Sequence, residues 1–207
     1  LMAPAMHTEM WQHEATRSNV ATLRARGVIV LDPAEGRLTG ADSGPGRLPE
    51  AVELSAVAAG LLDDADAVAA VRARDLSGLH VVVSAGGTRE HLDPVRYLGN
   101  SSSGLMGVAL ARAAGLRGAS VTLVAAHVSV PVPSGEWLTV ERVGSTGDLA
   151  EAIARLAPDA DVIVMAAAPA DFTPDAPSDT KIKKDGDGGL HVRLVQTPDV
   201  LGTLAHH

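Results

Sequence analysis

The chain concentrates small and polar residues in two neighbouring strings, SAGGTRE and GNSSSGLMG, which are separated by a polar loop. Gly86 and Gly87 of the first string have no Cβ, so their backbone N–H groups can approach an anion closely. Ser102 and Ser103 of the second string stand where a helix would begin, and a helix N-terminus offers donors to a negative group. The two strings predict a site for a phosphate-bearing ligand, with a tight turn and ordinary helix capping as the alternative.

The only lysines of the chain, Lys181, Lys183 and Lys184, fall within four positions of a loop that is rich in glycine and aspartate. A cationic loop of this kind can close over a polyphosphate and stabilise the charge that develops in a transition state. The alternative is a solvated surface loop. We favour the functional interpretation because the chain has no other lysine.

A third motif, AAAPADF, ends an apolar run and contains Asp171. Its small residues leave room for a flat ring to lie against the backbone. The carboxylate of Asp171 could bind a ribose, a base amine or a metal ion, and the alternative is a strand end with a solvated carboxylate.

These motifs need elements that bring them together, and strands alternate with helices from Leu79 onward. The alternation predicts an α/β fold, with a Rossmann-like parallel sheet and helices on both faces. Ligands of such sheets bind at the carboxyl ends of the strands, so the motifs that follow strands should share one edge. We predict strands at 79–85, 119–126, 137–143 and 160–168, and helices at 102–118 and 146–158, the latter capped by Thr146 or Asp148.

The first third of the chain lacks this regular alternation of strands and helices. We therefore divide the chain into residues 1–72 and 73–207. Here the sequence predicts a helix over 15–27 closed by Gly27, a short strand at 28–31, a glycine-rich loop over 36–50 and one helix over 49–74.

Composition excludes several classes of function. The absence of cysteine rules out disulfides, thiolate nucleophiles and thiolate metal sites. The net charge of −8 argues against a nucleic-acid partner. The sequence has no apolar run of about 18 residues and no secretory signal pattern, so we expect a cytoplasmic protein without a membrane partner.

Two common nucleotide fingerprints, GxGxxG and GxxxxGK[ST], do not occur. Tyr97 is followed four residues later by Ser101 rather than lysine. Both observations weigh against one alternative, an NAD(P)-dependent oxidoreductase on the same kind of sheet. A non-catalytic nucleotide-binding module is a further alternative.

Five strings, SAGGTRE, DPVRYLGNSSSGLMG, AAAPADF, KIKK and VQTPDVL, together resemble one family in both sequence and order. They resemble the phosphopantothenate–cysteine ligase half of the bifunctional enzymes of bacterial coenzyme A biosynthesis. PAMHTEMW and GRLTGADSGPGRLPE resemble the end of the flavin-dependent phosphopantothenoylcysteine decarboxylase half, which comes first in that family. The resemblance covers nearly the whole chain. It implies a ligase domain preceded by the C-terminal tail of a flavoprotein-type decarboxylase domain.

The resemblance also implies a reaction. In this family the carboxylate of 4′-phosphopantothenate attacks the α-phosphate of CTP and releases pyrophosphate, with Mg²⁺ bridging the triphosphate. The amine of L-cysteine then captures the acyl-cytidylate, which gives an amide and CMP. The family's ligase is a dimer, so the resemblance implies a homo-oligomer whose partners are these small molecules.

By motif match, Asn100 would hold the acyl-cytidylate and Lys181 would stabilise charge in the first step. Arg96 would join Asn100 at the substrate, and Asp171 would meet the metal. The nucleotide-binding set implied by the resemblance is Gly86, Gly87, Ser102, Ser103, Ala168, Asp171, Phe172, Lys181, Lys183 and Lys184.

The decarboxylase resemblance is incomplete. The family carries asparagine where this chain has His7, and its flexible flap carries a cysteine acid that this chain lacks. The resemblance places most of the FMN site outside this chain. We therefore expect no decarboxylation by this chain alone, and treat His7 and Met10 as a remnant of that site.

Overall fold

The structure, a computed structural model, describes residues 1–38, 43–184 and 188–204. The described residues form two compact units. The first comprises Leu1–Leu79, Arg112–Val121 and Val132–Thr139. The second comprises His80–Ala111, Thr122–Pro131 and the described chain from Val140 onward. Each unit is therefore assembled from three separate stretches of sequence.

Four helices and one hairpin lie in the first of these stretches. They are α1 (Thr8–Gln12), α2 (Glu14–Ala25), β1 (Ala34–Arg37) paired antiparallel with β2 (Ser43–Arg47), α3 (Ala51–Asp63) and α4 (Ala65–Ala73). The end of α2 is as predicted, because Gly27 follows it with a φ of +81°, a left-handed conformation that glycine adopts without strain.

Two predictions for this region were wrong. The strand expected at 28–31 is reduced to an isolated parallel bridge between Val30 and Met2. The loop expected over 36–50 contains the β1–β2 hairpin, whose connecting residues 39–42 lie outside the described residues. The glycine content reflects close approach rather than irregularity: a Cβ on Gly46 would lie 2.2 Å from the carbonyl oxygen of Met6.

The single helix expected over 49–74 is also wrong, because Asp64 interrupts it. Asp64 has an extended backbone, with φ −138° and ψ 107°. Its carboxylate accepts hydrogen bonds from the N–H groups of Asp66 and Ala67, so it acts as the N-cap of α4. The competition of aspartate with the helical backbone explains the break.

The predicted parallel sheet is present, and it contains four strands in the order β7-β6-β3-β8. The remaining elements, in chain order, are β3 (His80–Gly86), β4 (Arg89–Asp93), β5 (Arg96–Gly99), α5 (Leu105–Leu116), β6 (Ser120–Ala126), β7 (Leu138–Val143), α6 (Thr146–Leu156), β8 (Val162–Met165), β9 (Phe172–Pro174), β10 (Leu194–Gln196) and α7 (Val200–Leu204). β4 and β5 form an antiparallel hairpin, as do β9 and β10. The polar loop expected between the two glycine-rich strings is this β4–β5 hairpin.

Helices cover both faces of the sheet, as predicted. Val82 of β3 lies in a core cluster with Leu149 and Ile153 of α6. Three residues along the same strand, Ala85 meets α5, since a Cβ on Gly107 would lie 2.5 Å from the Cβ of Ala85. Successive side chains of a strand point to opposite faces, so α5 and α6 pack on opposite sides of β3. In the described part of the chain, no helix combines the length and apolarity needed to cross a bilayer.

Candidate functional site

The backbone at the end of β3 is packed too tightly for any side chain. Gly86 has a φ of +87°, and a Cβ there would lie 1.9 Å from the carbonyl oxygen of Ala126 at the end of β6. The Gly86 carbonyl accepts a hydrogen bond of 2.7 Å from Ala168 N, beyond the end of β8. The predicted glycine turn therefore lies at the carboxyl edge shared by β6, β3 and β8.

The serine-rich string lies against this turn, as the sequence predicted. A Cβ on Gly87 would lie 2.6 Å from the Asn100 carbonyl oxygen and 3.5 Å from the Cβ of Ser102. The Ser102 hydroxyl accepts from Gly104 N and the Ser103 hydroxyl from Leu105 N, each at 3.3 Å, just before α5. The serines therefore act as local caps, and each hydroxyl hydrogen remains available for donation to an anion.

The AAAPADF string is held by a network that sequence reasoning missed. The hydroxyl of Ser84 accepts hydrogen bonds of 3.1 Å from both Ala166 N and Ala167 N. The fully buried hydroxyl of Thr88 accepts a 2.8 Å bond from Ala170 N. The signal for both was present, because each is a small hydroxyl residue in or directly after a strand that is otherwise apolar.

A buried glutamate completes the network. Glu90 Oε1 accepts hydrogen bonds from Thr146 N at 2.8 Å and from the Thr146 hydroxyl, whose oxygen lies 3.0 Å away. The Thr146 and Thr88 hydroxyl oxygens are 2.9 Å apart. Thr146 thus binds Glu90 and Thr88 and is not the N-cap of α6. The N-cap is Ser145, which forms a capping box with Asp148.

Asn100 contacts the AAAPADF string through its side chain. Its side-chain Nδ2 donates a 2.8 Å hydrogen bond to the Pro169 carbonyl oxygen. The side chain is exposed, and its second N–H and its Oδ1 remain free to contact a ligand. Asn100, the glycine turn and the AAAPADF string therefore lie together.

A cavity of about 480 Å³ adjoins the AAAPADF string. Asp171 and Phe172, two of the residues predicted from the sequence, line it. Gln196 and Thr197 also line it, and Thr197 donates its hydroxyl hydrogen to the Ala170 carbonyl oxygen at 2.6 Å. The string VQTPDVL, which contains the last two residues, thus contributes directly to the cavity.

The lysine segment is fixed at its centre by two charged residues of the β4–β5 hairpin. The buried carboxylate of Asp93 accepts a 3.1 Å hydrogen bond from Ile182 N, and Arg96 donates a 2.9 Å bond to the Ile182 carbonyl oxygen. Ile182 lies between Lys181 and Lys183, so both backbone polar groups of this residue are held while the three lysine side chains stay exposed.

Asp93 is suited to this role because it is charged. Burial raises the pKa of its carboxyl group, but N–H groups of Val95, Ile182 and Arg96 and the Arg96 guanidinium together bring the pKa below its ordinary value. Arg96, expected at the substrate, instead contacts the lysine segment in this structure. Asp93 is the last residue of β4, a strand that spans about 13 Å from Arg89 at roughly 3.3 Å per residue.

His127 is a second residue that sequence reasoning missed. It follows β6 directly, has a φ of +47° and is partly buried, with no hydrogen-bond partner at its buried Nε2. Burial lowers the pKa of His127, as do the charges of Arg89 and His91, while the Gly144 backbone partly offsets them. A titratable residue directly after a strand, at the ligand edge, was the available signal.

Residues assigned to the decarboxylase resemblance lie in the first unit. His7 precedes α1 and lines a cavity of about 450 Å³ together with Arg37 and Arg47. Met10 of α1 is 56% exposed. In the described ranges, no three histidine or acidic residues cluster as metal ligands, and the cavity that Asp171 lines holds one further carboxylate, that of Asp199.

The sequence matches two family models and several curated relatives. Residues 76–207 match the family described as DNA/pantothenate metabolism flavoprotein C-terminal domain, and residues 1–63 match the family described as Flavoprotein. The Coenzyme A biosynthesis bifunctional protein CoaBC of Mycobacterium tuberculosis (strain ATCC 25618 / H37Rv) is 54% identical over 202 residues, covering 97% of this chain and 47% of the relative. The protein of the same name from Bacillus subtilis (strain 168) is 38% identical over 205 residues, covering 98% and 48%.

Two solved structures share the fold. The crystal structure of the C-terminal domain of a CoaBC protein has a TM-score of 0.54 and 34% identity, covering 64% of this chain and 61% of that one. A Cab2 mutant in complex with phosphopantothenate-cysteine has a TM-score of 0.55 and 18% identity, covering 67% and 65%. The chain spans about half the length of the curated relatives it matches.

The family match covers most of the chain, and the curated relatives align with nearly all of it. The α/β fold with a parallel four-stranded sheet that the sequence predicted is that of the structure. The chain therefore belongs to the family of the DNA/pantothenate metabolism flavoprotein C-terminal domain, and its relatives are bifunctional proteins of coenzyme A biosynthesis.

Proposed function

We propose that the second unit carries a CTP-dependent ligation of 4′-phosphopantothenate with L-cysteine, through an acyl-cytidylate intermediate. One observation supports this most directly: the glycine turn, Asn100 and the Ala168–Asp171 string converge at one sheet edge, next to a cavity that Asp171 and Phe172 line. The names of the relatives point to the same pathway. The proposal places this activity after residue 72, with the decarboxylase-like segment before it.

In the first step, a carboxylate oxygen of phosphopantothenate attacks the α-phosphorus of CTP. A new P–O bond forms, the bond to the β-phosphate oxygen breaks, and pyrophosphate leaves with that electron pair. Catalysis of such transfers rests on positioning and on neutralising charge. Gly86, Gly87, Ser102 and Ser103 would donate to the phosphates, while Lys181, with Lys183 and Lys184 nearby, would stabilise the charge on the leaving group.

Cytidine would occupy the cavity beside the AAAPADF string, with Phe172, which lines it, against the base and with Ala168 between the lining residues Ala167 and Pro169. Asp171 is the residue we assign to Mg²⁺, which usually binds through one or two carboxylates plus the substrate phosphates. Bound there, Mg²⁺ would neutralise phosphate charge. The lack of a clustered acidic site in the described residues suits an ion that arrives with the nucleotide.

In the second step, the cysteine amine attacks the acyl carbonyl carbon. A C–N bond forms, the C–O bond to the cytidylate breaks, and CMP leaves while the attacking nitrogen loses a proton to solvent. Asn100 suits this step because its Oδ1 and second N–H can hold the intermediate while its first N–H stays anchored on Pro169. Arg96 would position substrate indirectly, through the lysine segment that it holds.

Three further parts of the proposal concern the remainder of the protein. Exposed apolar residues flank the site in sequence, among them Val95 at 60% exposure, Leu105 at 63% and Met106 at 70%. Such residues fit a homo-oligomer interface. His7 and Met10 would supply part of a flavin-dependent decarboxylase site, in line with the flavoprotein match over residues 1–63. FMN would be held largely by residues other than these two.

The test is to measure pyrophosphate release with CTP and phosphopantothenate, and amide formation after cysteine is added. We expect Asn100→Asp to keep pyrophosphate release and to slow amide formation. Equal loss of both steps would remove Asn100 from the second step. CTP binding without turnover would support the non-catalytic module, and tight NAD(P) binding without CTP binding would support an oxidoreductase.

We expect Lys181→Gln to slow pyrophosphate release by roughly 10²-fold or more, as for the loss of a preorganised charge. Arg193→Gln is the control, because this arginine is exposed and pairs with Asp175 on the β9–β10 hairpin. An unchanged rate of pyrophosphate release in Lys181→Gln would support the alternative, in which the lysines belong to a solvated surface loop.

A further inference from the structure

The first unit contains a cavity that the proposed ligation does not use. Its internal volume is about 60 Å³, which is room for roughly four waters at ~15 Å³ each. A compact tetrahedral oxyanion needs a space of that order. Part of the wall is apolar and buried, formed by Val30, Val57 and Val71, and Trp137 also lines it.

Four arginines line this cavity against only two carboxylates. The arginines are Arg24, Arg72, Arg74 and Arg112, and the carboxylates are Asp32 and Glu53. With the carboxylates ionised, the lining carries an excess of two positive charges. Arginine side chains facing a partly desolvated space attract an anion strongly.

One of the two ion pairs is well formed and the other is not. Arg24 contacts Asp32 at 2.9 Å and also donates to the Val30 carbonyl oxygen at 2.9 Å. Arg112 Nε lies 3.5 Å from Glu53 Oε1, and this buried nitrogen has no hydrogen-bond partner. Burial raises the pKa of Glu53, and the charge of Arg112 opposes this effect.

Arg74 is held in an unfavourable position. It ends α4 with a φ of +49° and ψ of +47°, a left-handed conformation that is uncommon for residues other than glycine. Burial lowers the pKa of Arg74, and the charge of Arg24 lowers it further, with only partial compensation from Asp32. Among the residues that the structure describes, Arg72 and Arg74 have no ion-pair partner.

We propose that this cavity is a binding site for a phosphate dianion, held by Arg74 and Arg112, with Arg72 at its exposed side. A dianion matches the two excess positive charges. It also supplies the acceptor that Arg112 Nε lacks and relieves the repulsion between Arg24 and Arg74. The ligand is inorganic phosphate or the phosphate end of a larger molecule.

The test is a titration with inorganic phosphate at constant ionic strength, with chloride as the balancing anion. Trp137 lines the cavity and is one of only two tryptophans in the chain, so intrinsic fluorescence reports on binding there. We expect a saturable change in the unmodified protein, and an affinity at least tenfold weaker in Arg74→Gln. The matched control is Arg26→Gln, an exposed arginine that directly follows α2.

Folding is checked separately, by circular dichroism and by thermal unfolding in chloride. Arg74→Gln removes a repelled charge, so the variant should unfold at or above the temperature of the unmodified protein. Should it fail to fold, Arg112→Lys keeps the charge but removes Nε, and it should also weaken phosphate binding. A non-saturable response, or equal affinities in the Arg74 and Arg26 variants, would overturn the proposal.

Two further arms identify the source of the phosphate and the location of the signal. Tighter binding of glycerol 3-phosphate than of inorganic phosphate points to the end of a larger ligand, and the reverse points to the free ion. Lys181→Gln must leave the phosphate response unchanged, because Lys181 belongs to the other unit. Loss of the response in that variant would place the signal at the nucleotide site and refute this assignment.

Discussion

Replacing Thr88 by valine tests whether one buried hydroxyl holds the AAAPADF string in place. Valine has nearly the same shape as threonine, so Thr88→Val opens no cavity. The change removes the acceptor for Ala170 N, which is now 2.8 Å from the hydroxyl oxygen. Both residues are buried, with Thr88 at 0% and Ala170 at 4% exposure, so water cannot easily replace the lost acceptor.

An unsatisfied buried N–H group costs about 1–3 kcal/mol. We therefore expect the free energy of unfolding to fall by about 2 kcal/mol, or the midpoint of thermal unfolding to fall by about 4–8 °C, at ~2–4 °C per kcal/mol for a chain of this size. Thr146 keeps its contacts to Glu90 and to the Ala170 carbonyl oxygen, which limits the loss. If CTP binding must restore the displaced string, the same ~2 kcal/mol weakens binding by at most about 30-fold.

The measurements are urea unfolding, amide hydrogen exchange at Ala170 and calorimetric titration with CTP. The control is Thr122→Val in β6, because Thr122 is 8% exposed and its hydroxyl lies 2.9 Å from Nε2 of the partly buried His80. That variant should lose no more than about 1 kcal/mol and bind CTP normally. The reasoning fails if the two variants are equally stable and Ala170 keeps its protection.

Two further predictions follow from the same edge of the sheet. Gly86→Ala should destabilise the protein by at least about 2 kcal/mol in urea unfolding, because it combines a left-handed conformation with a clash against β6. The control is Gly60→Ala in α3, where nothing lies within 4 Å, and it should stabilise the protein by up to about 1 kcal/mol. A Gly86→Ala variant as stable as the unmodified protein would contradict the packing described. His127 should titrate below its ordinary pKa of about 6.5 in NMR, and Arg89→Gln should move the pKa upward. With this lowered pKa, the imidazole binds a proton more readily in the unfolded chain than in the folded one, so the free energy of unfolding should decrease as pH falls below about 6.5. A His127 pKa at its ordinary value would refute this.

The elements that carry the site could be predicted because their signals are local. The strands expected at 79–85 and 119–126 appear as His80–Gly86 and Ser120–Ala126, since continuous apolar runs of this length are typical of buried parallel strands. The strand expected at 160–168 is shorter, ending at Met165. Beyond Met165, the Ser84 hydroxyl accepts hydrogen bonds from the backbone N–H groups of Ala166 and Ala167.

The parts that could not be predicted depend on contacts between distant residues. Asp93 and Ile182 are 89 positions apart, and nothing in the string DPVR indicates that its aspartate binds the lysine segment. The β4–β5 hairpin was equally hidden, because its sequence contains a proline and several charges and lacks an alternating apolar pattern. Glu90 is an ordinary surface residue type, and only the fold brings it to Thr146, 56 positions away.

The first unit is built from three separate stretches of sequence, so dividing the gene between them also divides this unit. Val30 and Arg74 precede residue 80, whereas Arg112 and Trp137 enter the same cavity from later stretches. A polypeptide ending in the connector before His80 would therefore be made without five of the residues that line the cavity, Arg112 and Trp137 among them. Phosphate recognition at the arginines would be recovered only by mixing the two products of such a split gene.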